Sequence, residues 1–302
     1  MKIASAAAAA CAIGLIFATA RAEQAPPLIL TKPVEIVQGG IGELEVAGAD
    51  LASVEGRFGK AKIPFYRNAQ GNFIALLGVD LEAKPGVGML HIKRTSRGGV
   101  SRESEIPVPI KAKSFPEENF AVAPQFDQLT PDVLERVRKE QQQFARAFST
   151  SAPTRLWKKP FMMPVSVEVS SPFGYRRVIN GTPRAPHTGV DLRAPMATEV
   201  DAANDGRVAL IGDFFFSGKS IVLDHGGGLY TLYFHLSEFK VEAGNEVHKG
   251  DVIGLSGMTG RVTGPHLHWG ARLNGARVDP FELVEKLGGK LDKPVRADAH
   301  AD

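Results

Sequence analysis

Gly264-Pro265-His266-Leu267-His268-Trp269 sets two imidazoles two residues apart in a run that reads as a strand. Residues i and i+2 of a strand face the same side. Both rings therefore face one point, and Leu267 turns the other way, into a core. Converging neutral imidazoles are what a metal ion needs.

Two stretches upstream carry the same chemistry. In Arg184-Ala185-Pro186-His187-Thr188-Gly189-Val190-Asp191-Leu192, the histidine and the aspartate are four apart. That spacing would share a helix face, but Pro186, Gly189 and the nearby Pro195 argue against a helix. A loop running into a strand, bent so that imidazole and carboxylate meet, is the expected form. Tyr230-Thr231-Leu232-Tyr233-Phe234-His235-Leu236-Ser237 is an apolar strand that ends at His235.

With these three motifs in this order, the chain resembles the lysostaphin-type (LytM-type) zinc endopeptidases, which cut peptide bonds in peptidoglycan. The likeness covers roughly residues 165–285. It is supported by Ser171-Pro172-Phe173-Gly174-Tyr175-Arg176, Asp205-Gly206-Arg207-Val208 and Thr259-Gly260-Arg261-Val262-Thr263-Gly264-Pro265. Two positions depart from the family pattern. Ala197 stands where glycine is usual, and Trp269 is followed by Gly270 rather than the frequent acid.

The resemblance implies that His187, Asp191 and His268 hold one Zn²⁺ per catalytic domain, with a fourth position left for water. It assigns His235 and His266 to catalysis, since the His-Glu-x-x-His helix of other zinc proteases is absent. Which of the two is the base stays open. Asp201, Asp205 and Asp279 are candidates for orienting a ligand imidazole. Tyr175, Arg176, Tyr233 and Trp269 are candidates for the substrate groove, with Asn180 as a further one. His91, His225, His248 and His300 read as structural or solvated.

Composition sets the frame. The 302 residues suggest two domains, and 43% hydrophobic and 23% charged residues describe a globular chain. A net charge of +3 without a basic run interleaved with aromatics excludes a nucleic-acid footprint. Residues 1–22 read as a signal peptide: Lys2, then an apolar run from Ile3 to Thr19, then Ala20-Arg21-Ala22 as a small-x-small cleavage site. No stable membrane span is expected after cleavage. The only cysteine, Cys11, lies inside that run, so the mature chain has no disulfide and any zinc site must use nitrogen and oxygen ligands.

The expected layout has a small β-sandwich-like domain over 27–113 and a linker over 114–155 with a helix at about 130–148. A mostly antiparallel all-β peptidase domain with a groove follows over 156–287, then a polar tail over 288–302. Thr130-Pro131-Asp132 gives the helix start, and Val133, Val137, Phe144 and Phe148 give its apolar stripe. That helix reads as a spacer packed on one domain; a sharper alternative has the arm and the first domain restrict access to the site.

The function expected is an exported peptidoglycan endopeptidase of the periplasm or cell envelope. Its partners are stem peptides, and its bond is D-alanyl–meso-diaminopimelate. Glycyl-glycine cleavage, and a non-catalytic regulator that activates a wall amidase, are the alternatives.

Overall fold

The computed structural model describes residue 30, residues 34–120 and residues 129–291. The expected signal peptide, part of the connector (121–128), most of the tail (292–302) and His300 lie outside the described residues.

The first domain is a sandwich of a five-stranded sheet and a three-stranded sheet. Ile41–Val46 pairs with Phe73–Gly78 in one; Leu51–Phe58, Gly86–Ser96 and Ser101–Lys111 form most of the other. Leu44, Val46, Leu77, Leu90, Ile92 and Val108 meet between them in one core. The strand Leu51–Phe58 escapes a reading by alternation: Glu55, Gly56 and Arg57 interrupt its apolar side.

The second domain is built on one ten-stranded sheet in which every pairing is antiparallel. Gly189–Leu192, Leu267–Leu273, Leu229–Phe239 and Gly218–Gly226 lie side by side in that order. Gly227 and Gly228 (φ 63° and 79°) close the hairpin between the last two; two left-handed residues match the strand twist. Arg176–Ile179 and Thr182–Pro183 form a small hairpin ahead of His187. The linker strand Glu117–Phe120 adds to its edge in parallel.

The two domains share core and polar contacts. Ile41, Leu76 and Leu81 belong to the same cluster as Trp269, Leu283 and Val284. Arg277 grips Asp80 with Nε and Nη2 at 3.0 and 2.6 Å and reaches Glu82 at 2.7 Å. Glu282 accepts the Ile41 N–H at 3.1 Å.

The linker helix α1 (Pro131–Phe148) packs on the second domain. Phe144 and Phe148 cover Val222, Tyr230, Leu232 and Phe234. The buried Glu140 carboxylate accepts the Phe215 N–H at 3.0 and 3.1 Å. A short helix, α2 (Pro280–Lys286), is capped by the Asp279 carboxylate on Phe281 N. No helix among the described residues is long and apolar enough to cross a membrane.

His225 is fully buried; its Nδ1–H donates to the Asp205 carbonyl (2.8 Å) and its Nε2 lies 2.7 Å from Thr231 Oγ1. Burial pushes this imidazole down to about 4. An unfolded histidine titrates near ~6.5, so below that pH the unfolded chain binds the extra proton. The stabilisation is complete above pH ~6.5 and declines as pH falls towards about 4, by about 3 kcal/mol in all. Urea midpoints should therefore drop steeply across that window, and His225→Gln should flatten the slope. An unchanged slope in the variant would remove His225 as the cause.

Candidate metal centre

The strand Leu229–Phe239 does not stop at His235 but bends there. Lys219 pairs with Leu236 and Ile221 with Tyr233, so Ser220 alone faces two residues, Phe234 and His235. His235 is the extra residue of this bulge and has φ 64°, which costs a non-glycine residue about 1–3 kcal/mol. Ordinary alternation would send His235 away from its neighbour Phe234. The bulge turns it back, and its ring lies 4.8 Å from that of His266 and 6.2 Å from that of His268. Its N–H to Ser217 O (2.9 Å) and its Nδ1 to Thr259 O (2.9 Å) hold the strained conformation.

Strand pairing assembles the rest. Asp191 sits opposite His268 in the register of Gly189–Leu192 with Leu267–Leu273. His187 Nε2 lies 3.0 Å from Asp191 Oδ1 and 3.0 Å from His268 Nδ1, which is 2.8 Å from the same carboxylate oxygen. All three residues are buried, and together they could hold a metal ion. Gly189 makes room for this: a Cβ there would stand 2.6 Å from His268 Nε2 and 2.5 Å from the Trp269 carbonyl. That requirement leaves no periodic signal in the sequence.

The hydrogen-bond partners settle the tautomers. His187, His235 and His266 each place Nδ1 on a backbone carbonyl, those of Pro172, Thr259 and Gly264, all at 2.9 Å. A carbonyl only accepts, so Nδ1 carries a proton in each ring, and Nε2 is the lone-pair nitrogen whenever the ring is neutral. His266 Nε2 lies 3.7 Å from Asp191 Oδ1. Burial, then the neighbouring imidazoles of His268 and His266, push His235 down to about 3, so at neutral pH it is a free base. Burial opposes ionisation of Asp191, but hydrogen bonds from His187 and His268 outweigh it and hold the carboxyl well below the usual range.

Two expectations of the sequence are corrected here. Tyr233 and Trp269 do not line a groove; both are fully buried in the core. They pair with each other in register, one residue away from the Phe234–His268 pair. Successive strand residues point to opposite faces, so once His268 faces the site its neighbour must face the core. The Tyr233 hydroxyl accepts the Ala203 N–H at 2.9 Å. Nor does Asp201, Asp205 or Asp279 orient a ligand imidazole: for His187 the Pro172 carbonyl does so. Asp279 caps α2, and Asp205 holds His225 and the Lys249 N–H.

Tyr175 is half-buried beside the site, with its carbonyl accepting the His187 N–H at 2.8 Å, and Arg176 is exposed next to it. Asn180 is exposed at the hairpin turn, with φ 50°. Ala197 has φ 62°, a conformation glycine adopts without strain. The sequence reading missed Phe234, whose ring stacks on that of His268 at 5.2 Å and 7°.

Residues 185–280, which contain all five polar side chains, match the family described as Peptidase family M23. The chain is 32% identical to a crystal structure titled as a peptidase M23 from Pseudomonas aeruginosa. The likeness covers 84% of this chain and 96% of that one, with a TM-score of 0.66. The chain belongs to peptidase family M23. Among M23 relatives, the DD-carboxypeptidase/endopeptidase Mpg of Neisseria meningitidis serogroup B is 48% identical over 121 residues, 40% of this chain and 28% of Mpg. The peptidoglycan DD-endopeptidase ShyA of Vibrio cholerae is 43% identical over 126 residues, 41% of this chain and 29% of ShyA. The chain thus matches less than a third of the length of either relative.

Proposed function

We propose that this M23 protein is a zinc-dependent endopeptidase that hydrolyses peptide cross-links of peptidoglycan, with the D-alanyl–meso-diaminopimelate bond as its target. The observation that carries the reading is the convergence of His187 Nε2, Asp191 Oδ1 and His268 Nδ1 to within 3.0 Å of one another, with His266 Nε2 close by. Two imidazoles and a carboxylate are a donor set that suits a catalytic Zn²⁺. When bound, the ion supplies a Lewis acid and an acidified water. His235 and His266 lie beside that position, each with Nδ1 engaged by a backbone carbonyl and Nε2 left as the atom that can take or give a proton. One takes the proton of the attacking water and passes it to the leaving amine; in protonated form either donates to the developing oxyanion. Tyr175 and Arg176 are the residues we assign to the substrate groove: the Tyr175 carbonyl accepts the His187 N–H, and the neighbouring Arg176 is an exposed cation that suits the free carboxylates of a stem peptide. The names of Mpg and ShyA support the substrate class, and such a substrate places the enzyme in the cell envelope, in keeping with the leader expected over residues 1–22.

Purified sacculi treated with the protein, with muropeptides read by mass spectrometry, test this. Cross-linked dimers should fall and monomers rise, chelator should stop the change, and zinc should restore it. Dimers that persist with zinc present would overturn the proposal, all the more if the protein instead stimulates an added amidase.

A further inference from the structure

The site is held from outside the region that the family match spans. The linker helix α1 ends at Phe148, well before residue 185, yet it packs on the face of the sheet that carries His268. A train of rings connects them. Phe214 lies 4.7 Å from Phe144; Phe144 meets Phe234 at 5.9 Å and 80°; Phe234 stacks on His268 at 5.2 Å and 7°. Polar contacts fix the register of the helix. Both Glu140 carboxylate oxygens take the Phe215 N–H, and Arg136 donates to the Asp213 carbonyl at 3.3 Å. Phe144 therefore cannot slide along the sheet without breaking these bonds.

The ring of His268 is engaged at its edge as well as on its face: its Nδ1 faces Asp191 and His187. Phe234 covers one face of the imidazole, and Phe144 meets Phe234 edge to face. Offset stacked and edge-to-face aromatic pairs have defined geometry, and ligands held by an outer shell bind metal more tightly than free ones. We infer that Phe144 and Phe234 are positioning residues: the linker helix sets the orientation of the His268 ring through this stack, so the peptidase site is completed by a segment preceding its own domain. The consequence for metal affinity rests on the zinc reading above; the consequence for the ring does not.

The test uses the full chain with Phe144→Ala and the milder Phe144→Leu. Phe148→Ala is the control, because Phe148 sits on the same helix against Tyr230 at 5.3 Å and meets the ring train at Phe144 (6.1 Å), with Phe144 and Phe234 between it and His268. Two readouts are taken. In metal-free, histidine-labelled protein, the His268 Cε1–H resonance should lose its upfield ring-current shift in Phe144→Ala, lose part of it in Phe144→Leu, and keep it in Phe148→Ala. In Co²⁺- or Zn²⁺-loaded protein, metal dissociation should speed up about tenfold in Phe144→Ala and little in Phe148→Ala. The inference is overturned if the resonance does not move in either Phe144 variant, or if Phe148→Ala moves it equally. If Phe144→Ala does not fold, Phe144→Leu against Phe148→Ala decides the matter alone. A wild-type protein that takes up no metal but shows the expected ring shifts would sink the zinc reading and leave this one standing.

Discussion

Asp191→Ala should leave the protein folded, strip it of metal and abolish hydrolysis. Asp191 contributes the only carboxylate oxygen of the cluster, and both imidazoles converge on that one atom. Without it, two neutral nitrogens would have to hold a divalent cation with no carboxylate left in the cluster among the described residues. The chemistry lost with the ion is worth several kcal/mol, so turnover should fall by about 10³-fold or more. Asp191→Asn is the sharper variant, since it keeps size and an acceptor oxygen and removes only the charge. Metal content should drop from one equivalent to almost none in the alanine protein, while far-UV circular dichroism stays unchanged. A variant that retains both its zinc and its activity would eliminate the metal centre described above.

His235→Ala and His266→Ala should have the opposite signature. Neither imidazole belongs to the converging triad, so zinc should stay at one equivalent. Losing a positioned proton-transfer group costs about 10²–10⁴-fold in kcat. His235 carries an additional mark. Because it occupies a left-handed position in the bulge, His235→Gly should be more stable than His235→Ala by about 1 kcal/mol, with both equally inactive. Loss of zinc in either alanine variant would mean that ligand and proton carrier have been exchanged. Equal stability of the glycine and alanine proteins would show that the bulge relaxes once the ring is gone.

Much of this site could be read along the chain, for a local reason. A period of two on a strand is enough to bring His266 and His268 to one side, and a loop entering a strand is enough to let His187 meet Asp191. The groove reading of Tyr233 and Trp269 rested on residue type and set that arithmetic aside. Their aromatic rings suit a groove wall, but each is adjacent in sequence to a residue that faces the site, and both therefore go to the core. His235 shows the converse. Its role could not follow from alternation, because a bulge, visible only through the pairing of Leu229–Phe239 with Gly218–Gly226, turns it back to the metal side.

The sequence alone determined the chemistry: which side chains are present, the family they belong to, and the antiparallel β character of the domain that carries them. These follow from residue type and short-range spacing, which a linear chain displays directly. Only the tertiary structure decided that the first domain is joined to the second through Arg277 and Glu282, and that α1 lays Phe144 against the ring backing His268. Such contacts join residues from about a hundred to more than two hundred positions apart. They depend on which faces remain uncovered once each sheet has closed, and no local pattern in the sequence encodes that.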